Sequence, residues 1–157
     1  MPAITPCLWF DREAEQAAKF YISVFKNGKI IETSYYGEGG HMPAGTVLVV
    51  TFELNGMRFQ ALNGGPHFKF NEAISLSVDC KNQDDVDYFW DKLTADGGAP
   101  SQCGWLKDKY GVSWQIVPDI MPRLLQNPDR ARIDRAMQAM MKMKKIVIAD
   151  IEAAANG

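Results

Sequence analysis

Two short stretches carry side chains able to do chemistry, and they echo each other: Asn55-Gly56-Met57-Arg58-Phe59-Gln60-Ala61-Leu62 and Tyr110-Gly111-Val112-Ser113-Trp114-Gln115-Ile116-Val117. Each reads turn glycine, two residues, aromatic, glutamine, two apolar residues. A primary amide offers one carbonyl acceptor and two N–H donors, which suits carbonyl, hydroxyl or amide groups of a small molecule. Equally, such amides can bond one another or ordered water as a structural bridge. Arg58 can pair a carboxylate or phosphate, or stand as a solvated edge residue. His67 is the side chain best suited by type to general acid–base work, although its place among Gly64, Gly65, Pro66 and Phe68 also reads as a plain loop.

Strands must position these groups. Period-2 alternation places Arg58, Gln60 and Leu62 on one face and Phe59 on the other; likewise Ser113, Gln115 and Val117 oppose Trp114. Upstream, Ile4–Phe10 reads as a strand, and residues 12–25 as an amphipathic helix with Asp11 as N-cap. Strands follow at Lys29–Tyr36 and Thr46–Leu54, separated by the Gly/Pro-rich loop 37–45, and Asn55-Gly56 signals a tight hairpin into Met57–Leu62. After the loop 63–70 the order recurs: a strand over Ala73–Asp79, then a helix capped by Asn82 with the stripe Val86, Phe89, Trp90, Leu93. Strands near Pro100–Cys103, Gly104–Lys107 and Val112–Val117 complete it.

The recurrence is numerical. Leu8 falls on Leu76 and Ala18 on Val86 at an offset of 68, whereas Gly56 falls on Gly111 and Gln60 on Gln115 at an offset of 55. A duplication explains this if the first half has the longer central loop. A pseudo-twofold would then set Gln60 and Gln115 facing across a cavity. Beyond Pro118 nothing repeats: a turn and short helix reach Leu125, a helix spans Asp129–Lys145, and a short extended piece precedes a last turn or two at Asp150–Ala155. The stripe Ile133, Met137, Met140, Met141 and Lys144 reads as adaptable core packing, or as a surface for a second subunit or a lid over the cavity.

Composition excludes several classes. The 157 residues, 46% hydrophobic and 23% charged with net charge −2, fit a globular chain with no footprint for nucleic acid or an anionic membrane. No apolar run spans a bilayer, and Met1–Thr5 lacks a secretory n-region or h-region. Three cysteines (Cys7, Cys80, Cys103) without CxxC spacing predict reduced thiols in a cytoplasm. The glycines at 37, 39, 40 and 45 do not bridge a strand to a helix, so the dinucleotide fingerprint is missing. His41 among them reads as solvated.

Leu8-Trp9-Phe10-Asp11, Ala14-Glu15, Phe20-Tyr21, Asn63-Gly64-Gly65-Pro66, Phe70-Asn71-Glu72-Ala73-Ile74-Ser75-Leu76 and the run from Trp105 to Pro118 resemble the PhnB-like branch of the glyoxalase/bleomycin-resistance/extradiol-dioxygenase (vicinal oxygen chelate) superfamily. That branch often carries the label 3-demethylubiquinone-9 3-methyltransferase. The resemblance implies an α+β fold of tandem βαβββ modules forming a curved mixed sheet around a cavity, with a helical C-terminal extension. The expected division is a domain over 1–118, with modules at roughly 3–63 and 72–118, then the extension 119–157. Metal-using relatives hold a divalent ion at four strand positions, which the resemblance carries to Thr5, Gln60, Ala73 and Gln115. Two neutral amides, a hydroxyl and a methyl suit no dication, so no metal and no cofactor are expected. Cys7 and Glu72, beside these positions, are the nearest stronger donors.

The expectation is therefore a cytoplasmic homodimer binding a small organic molecule through Cys7, Trp9, Arg58, Gln60, Ser75, Ser113 and Gln115, its cavity lined further by Leu62, Ser77 and Val117. Three readings follow: a binding or sequestration module, an enzyme using Gln60, Gln115 and His67 or performing methyl transfer or lyase/dioxygenase-type chemistry, and an interaction protein whose tail builds a dimer.

Overall fold

Asn55 and Gly56 adopt φ of 48° and 83°, the left-handed pair that a two-residue type I′ hairpin requires. In the computed structural model, which describes residues 1–157, this hairpin centres the first of two units, Met1–Phe70 and Asn71–Gly157.

The first unit runs β1 (Cys7–Phe10), α1 (Ala14–Phe25), β2 (Gly28–Tyr35), β3 (Val47–Leu54) and β4 (Met57–Asn63). Its sheet order is β1-β4-β3-β2, with β1 parallel to β4 and the rest antiparallel. Alternation sends Phe10, Val50, Phe52, Phe59 and Ala61 to the face that α1 covers with Ala17, Ala18, Tyr21 and Val24, and all of these are buried. Tyr21 stacks on Phe52 and Phe52 on Phe59, at ring-centroid distances of 6.2 and 5.5 Å. Each such aromatic contributes roughly 1.5–3 kcal/mol through burial.

The helix start differs from the expected Asp11 cap. Glu13 occupies the N-cap position without a side-chain bond, and the buried Asn63 Oδ1, at the end of β4, accepts from Ala14 N at 2.9 Å. A strand end thus caps a helix 49 residues away, and Asn63 Nδ2 holds Val47 O at 2.9 Å as well.

The second unit repeats the order with β5 (Leu76–Cys80), α2 (Gln83–Thr94), β6 (Ala99–Pro100), β7 (Trp105–Lys107) and β8 (Ser113–Pro118), ordered β5-β8-β7-β6. Here the predicted cap is present: Asn82 Oδ1 accepts from Asp85 N at 2.9 Å. Val86, Trp90 and Leu93 form the buried stripe, with Phe89 at its margin.

Hydrogen-bond register refines the repeat. Gln60 lies opposite Cys7 and Gln115 opposite Ser77, so β1 and β5 are related by 70 residues rather than 68. Buried Ala17, Tyr21 and Val24 match Val86, Trp90 and Leu93 at an offset of 69. The counterpart of Thr5 is therefore Ser75, and Ala73 lies in a turn before β5. Because the error is two residues, every side chain keeps its face. The extra length of the first half resides in its strands as well as its loop: β2 and β3 have eight residues each, against two and three in β6 and β7.

Three helices follow in the second unit: α3 (Ile120–Leu125), α4 (Arg130–Met140) and α5 (Ile148–Asn156). The helix expected to reach Lys145 stops at Met140, leaving Met141 exposed, and the last helix is longer than expected. Met137, Met140 and Met143 pack against a core of Met121, Leu124, Ala136, Ile146, Ile151 and Ala155. The extension is tied to its module by Gln83, whose amide donates to Ile146 O (3.1 Å) and accepts from Ile148 N (2.8 Å). Cys103 N and Gly104 N donate to Met143 O and Lys144 O, both at 2.8 Å, and Lys145 pairs with Asp87 at 2.7 Å.

Candidate functional site

The loop that aims β8 is organised by one buried carboxylate. Asp108 is 2% exposed. Its Oδ1 accepts from Tyr110 N (2.8 Å) and Val112 N (3.1 Å), and its Oδ2 from Trp114 Nε1 (2.9 Å). Gly111 N donates to Asp108 O at 2.9 Å, closing a turn in which Gly111 has φ of 88°. The two echoing glycines thus serve different turns: a two-residue hairpin at Gly56, and a five-residue loop wound round a carboxylate at Gly111. The sequence signal for Asp108 was an aspartate three residues before a glycine, the usual order in a β-turn.

Beyond that loop Ser113, Gln115 and Val117 share the face of the second sheet opposite α2, as the alternation predicted, but Val117, expected to line the cavity, packs instead against the core of the helical extension. Lys107 lies opposite Ser113, and Trp105 opposite Gln115. Gln115 Nε2 donates to Ser75 Oγ at 2.9 Å, leaving its carbonyl and the Ser75 proton for other partners. Ser113 is 2% exposed, and its hydroxyl has no hydrogen-bond partner. It lines a cleft of about 280 Å³ with Glu72, Pro100, Ser101, Trp105 and Lys107. Glu72 pairs with Lys107 at the cleft edge, and that hydrogen bond is the main cause holding its carboxyl below the usual carboxylate range. Sequence reasoning noted Glu72 only as a donor near Ala73 and did not single out its partner Lys107 or the carboxylate of Asp108.

In the first unit Gln60 is half-buried on the face away from α1; its backbone N–H donates to Pro6 O at 2.9 Å, and no hydrogen bond within the chain holds its side-chain amide. It shares that face with Arg58, which is exposed and stands opposite Glu53, and with Leu62. Trp9 is fixed within its own unit: Nε1 donates to Gly65 O at 2.9 Å, and Phe68 meets the indole edge-on at 5.0 Å. It can offer a ligand only an apolar surface. Cys7 is surface-exposed, yet the partial burial of its thiol pushes the pKa up, which keeps it protonated and a weak nucleophile. His67 is exposed on the loop. His41, read as solvated, is exposed but bonded: its Nε2 lies 3.2 Å from Tyr36 Oη, which donates its own proton to Asn63 O at 2.5 Å.

The donor set does not fit a divalent ion. Gln60 and Gln115 are neutral amides, Thr5 and its register counterpart Ser75 are neutral hydroxyls just outside the strands, and within either unit no three His, Cys, Asp or Glu side chains converge. The glycine-rich loop joins the antiparallel pair β2 and β3, so it presents no strand-to-helix phosphate cradle.

Paired four-stranded modules of this order define the glyoxalase/bleomycin-resistance fold. The fosfomycin resistance protein FosX of Listeria monocytogenes is similar in fold (11% identity, 80% of this chain and 98% of that one, TM-score 0.58). A glyoxalase-related enzyme of Fulvimarina pelagi is similar at 11% identity, covering 77% of this chain and 91% of that one, with TM-score 0.50. Residues 2–117 match the 3-demethylubiquinone-9 3-methyltransferase family. A PhnB protein of Bacillus cereus is 37% identical over 74% of this chain and 99% of its own, with TM-score 0.67. The chain belongs to that family, in the PhnB branch of the glyoxalase/bleomycin-resistance superfamily. No curated protein matches it. No helix is long and apolar enough to cross a membrane.

Proposed function

We propose that this protein binds a small organic ligand on the face of its second sheet away from α2, in the cleft beside Ser113, through Ser113 and Gln115, without a divalent metal or other cofactor. The observation that carries the reading is the Ser113 hydroxyl, sealed in the wall of a cleft with no partner. A buried hydroxyl left unpaired costs about 1–3 kcal/mol, which a polar ligand atom would recover. Trp105 supplies an apolar wall, and Gln115 keeps a free carbonyl on the same face. The face suits a compact molecule carrying a hydroxyl or carbonyl beside an aromatic or aliphatic body.

On the first sheet the same reading assigns ligand contacts to Cys7, Trp9, Arg58 and Gln60. The protein acts as a cytoplasmic homodimer in this reading. Three unpaired thiols support the compartment, and a scattering-derived mass at monomer size would reject the dimer. The test of binding is a thermal-shift screen of small aromatic and carbonyl compounds. Hits should lose their shift in Ser113→Ala and Gln115→Ala; hits that keep it in both variants refute the site. The family name supplies a second reading, methyl transfer, and micromolar binding of S-adenosylmethionine by calorimetry would replace the first reading with it.

A further inference from the structure

The helical extension contains an arginine whose surroundings leave it unanswered. Two neighbouring arginines have acceptors: Arg123 donates to Asp119 Oδ1 at 2.8 Å, and Arg135 bonds Ala154 O at 3.1 Å and Ala155 O at 2.7 Å. Arg132 differs. Its guanidinium is half-buried, makes no hydrogen bond or ion pair within the chain, and has its Nε sealed from solvent with no acceptor. A cation held this way costs free energy unless an acceptor arrives.

Arg132 lines a cleft of about 340 Å³ between α3, α4 and α5. Ile120, Leu124 and Ala155 give the cleft an apolar part, and Asn127 adds a primary amide. Glu152 lines the same cleft and makes no ion pair either, so its carboxylate and the Arg132 guanidinium stand further apart than the 4.0 Å of a salt bridge. One unpaired cation, one unpaired carboxylate and an apolar wall are complementary to a single class of small molecule. A zwitterion places its carboxylate on the guanidinium and its ammonium on Glu152. A plain anion leaves Glu152 unanswered and repelling.

We infer that this cleft is a binding site for an apolar α-amino acid, separate from the sheet face and belonging to a segment outside residues 2–117, which match the family. The ligand's carboxylate bonds Arg132, its ammonium bonds Glu152, and its side chain rests on Ile120 and Leu124. The volume lies near the lower end of the usual range for small-molecule pockets, about 300–1,000 Å³, which suits a side chain of leucine size.

The test is calorimetric titration of the full chain with L-leucine, 4-methylpentanoate (which lacks the amine) and 3-methylbutylamine (which lacks the carboxylate). L-Leucine should bind, and each single-charge analogue should be weaker by about tenfold or more, the worth of one charge-assisted hydrogen bond. Arg132→Gln should weaken L-leucine by a similar factor. Glu152→Gln, at an exposed position, provides the same readout if Arg132→Gln fails to fold. No binding of L-leucine at 10-fold molar excess over about 1 mM protein overturns the inference. So do equal affinities for L-leucine and 4-methylpentanoate, or affinity unchanged in both variants.

Discussion

Replacing Asp108 tests whether one carboxylate sets the geometry of β8. In Asp108→Ala three donors lose their acceptor at once: Tyr110 N, Val112 N and Trp114 Nε1. The site is nearly closed to water, with Asp108 and Trp114 each 2% exposed. A buried donor left unpaired costs about 1–3 kcal/mol. Partial rescue of the two backbone groups by water entering the vacated volume brings the total to about 3–5 kcal/mol. For a chain of this length each kcal/mol shifts the midpoint by about 2–4 °C, so the loss should be roughly 6–20 °C. Asp108→Asn keeps an acceptor for the two backbone amides but turns an NH₂ toward the indole N–H, and should cost about 1–3 kcal/mol. Urea unfolding followed by tryptophan fluorescence measures both, with Trp114 reporting on the loop directly. A loss under about 1 kcal/mol for Asp108→Ala would refute the reasoning, as would an alanine variant more stable than the asparagine one.

Three further outcomes follow from other contacts. Asn63→Ala removes the acceptor for Ala14 N and the donor to Val47 O; it should cost about 2–4 kcal/mol in urea unfolding, and a loss under 1 would show that α1 does not need this cap. Gly64→Ala places a Cβ 2.3 Å from the Trp9 indole; the displaced ring should give a red-shifted emission and a lower midpoint, and an unchanged spectrum would contradict the packing. Cys80 is fully buried, and desolvation, helped by the charges of Asp85 and Asp79, pushes its thiol up to about 12. Its unfolded-state value is lower, so the buried thiol's contribution is complete below about pH 9 and is lost as the pH rises toward 12, by up to about 4 kcal/mol. Cys80→Ala should flatten the fall in stability between pH 9 and 11, and parallel curves for variant and parent would contradict the assignment.

Much of the fold was legible because its signals were local. Asn55-Gly56 signalled a tight hairpin, Asn82 announced its helix, and alternation sorted Phe59 and Trp114 from Gln60 and Gln115. What escaped detection depends on contacts distant in sequence. Nothing near Asp11 reveals that Asn63 caps α1 instead, since the bond joins groups 49 residues apart. The repeat offset was misjudged by two because Leu8 and Leu76 are a tempting identity, while register is decided by which residues pair across the strands. Period-2 patterning tolerates that error without moving a side chain to the wrong face. Ser113 was visible as a face residue, but its lack of a partner is a property of packing. The same holds for Arg132: a sequence shows that a charge is present, and only the folded extension shows that it is left unpaired.

On this reading the face of the second sheet away from α2 holds a small organic molecule by Ser113 and Gln115, with no divalent ion involved. The most direct measurement is the ligand-induced thermal shift of the strongest screening hit, taken with and without excess EDTA, for the parent chain and for Gln115→Ala. The account predicts a shift that survives EDTA and is lost in the variant. A shift that disappears with EDTA, or that persists in Gln115→Ala, would contradict it.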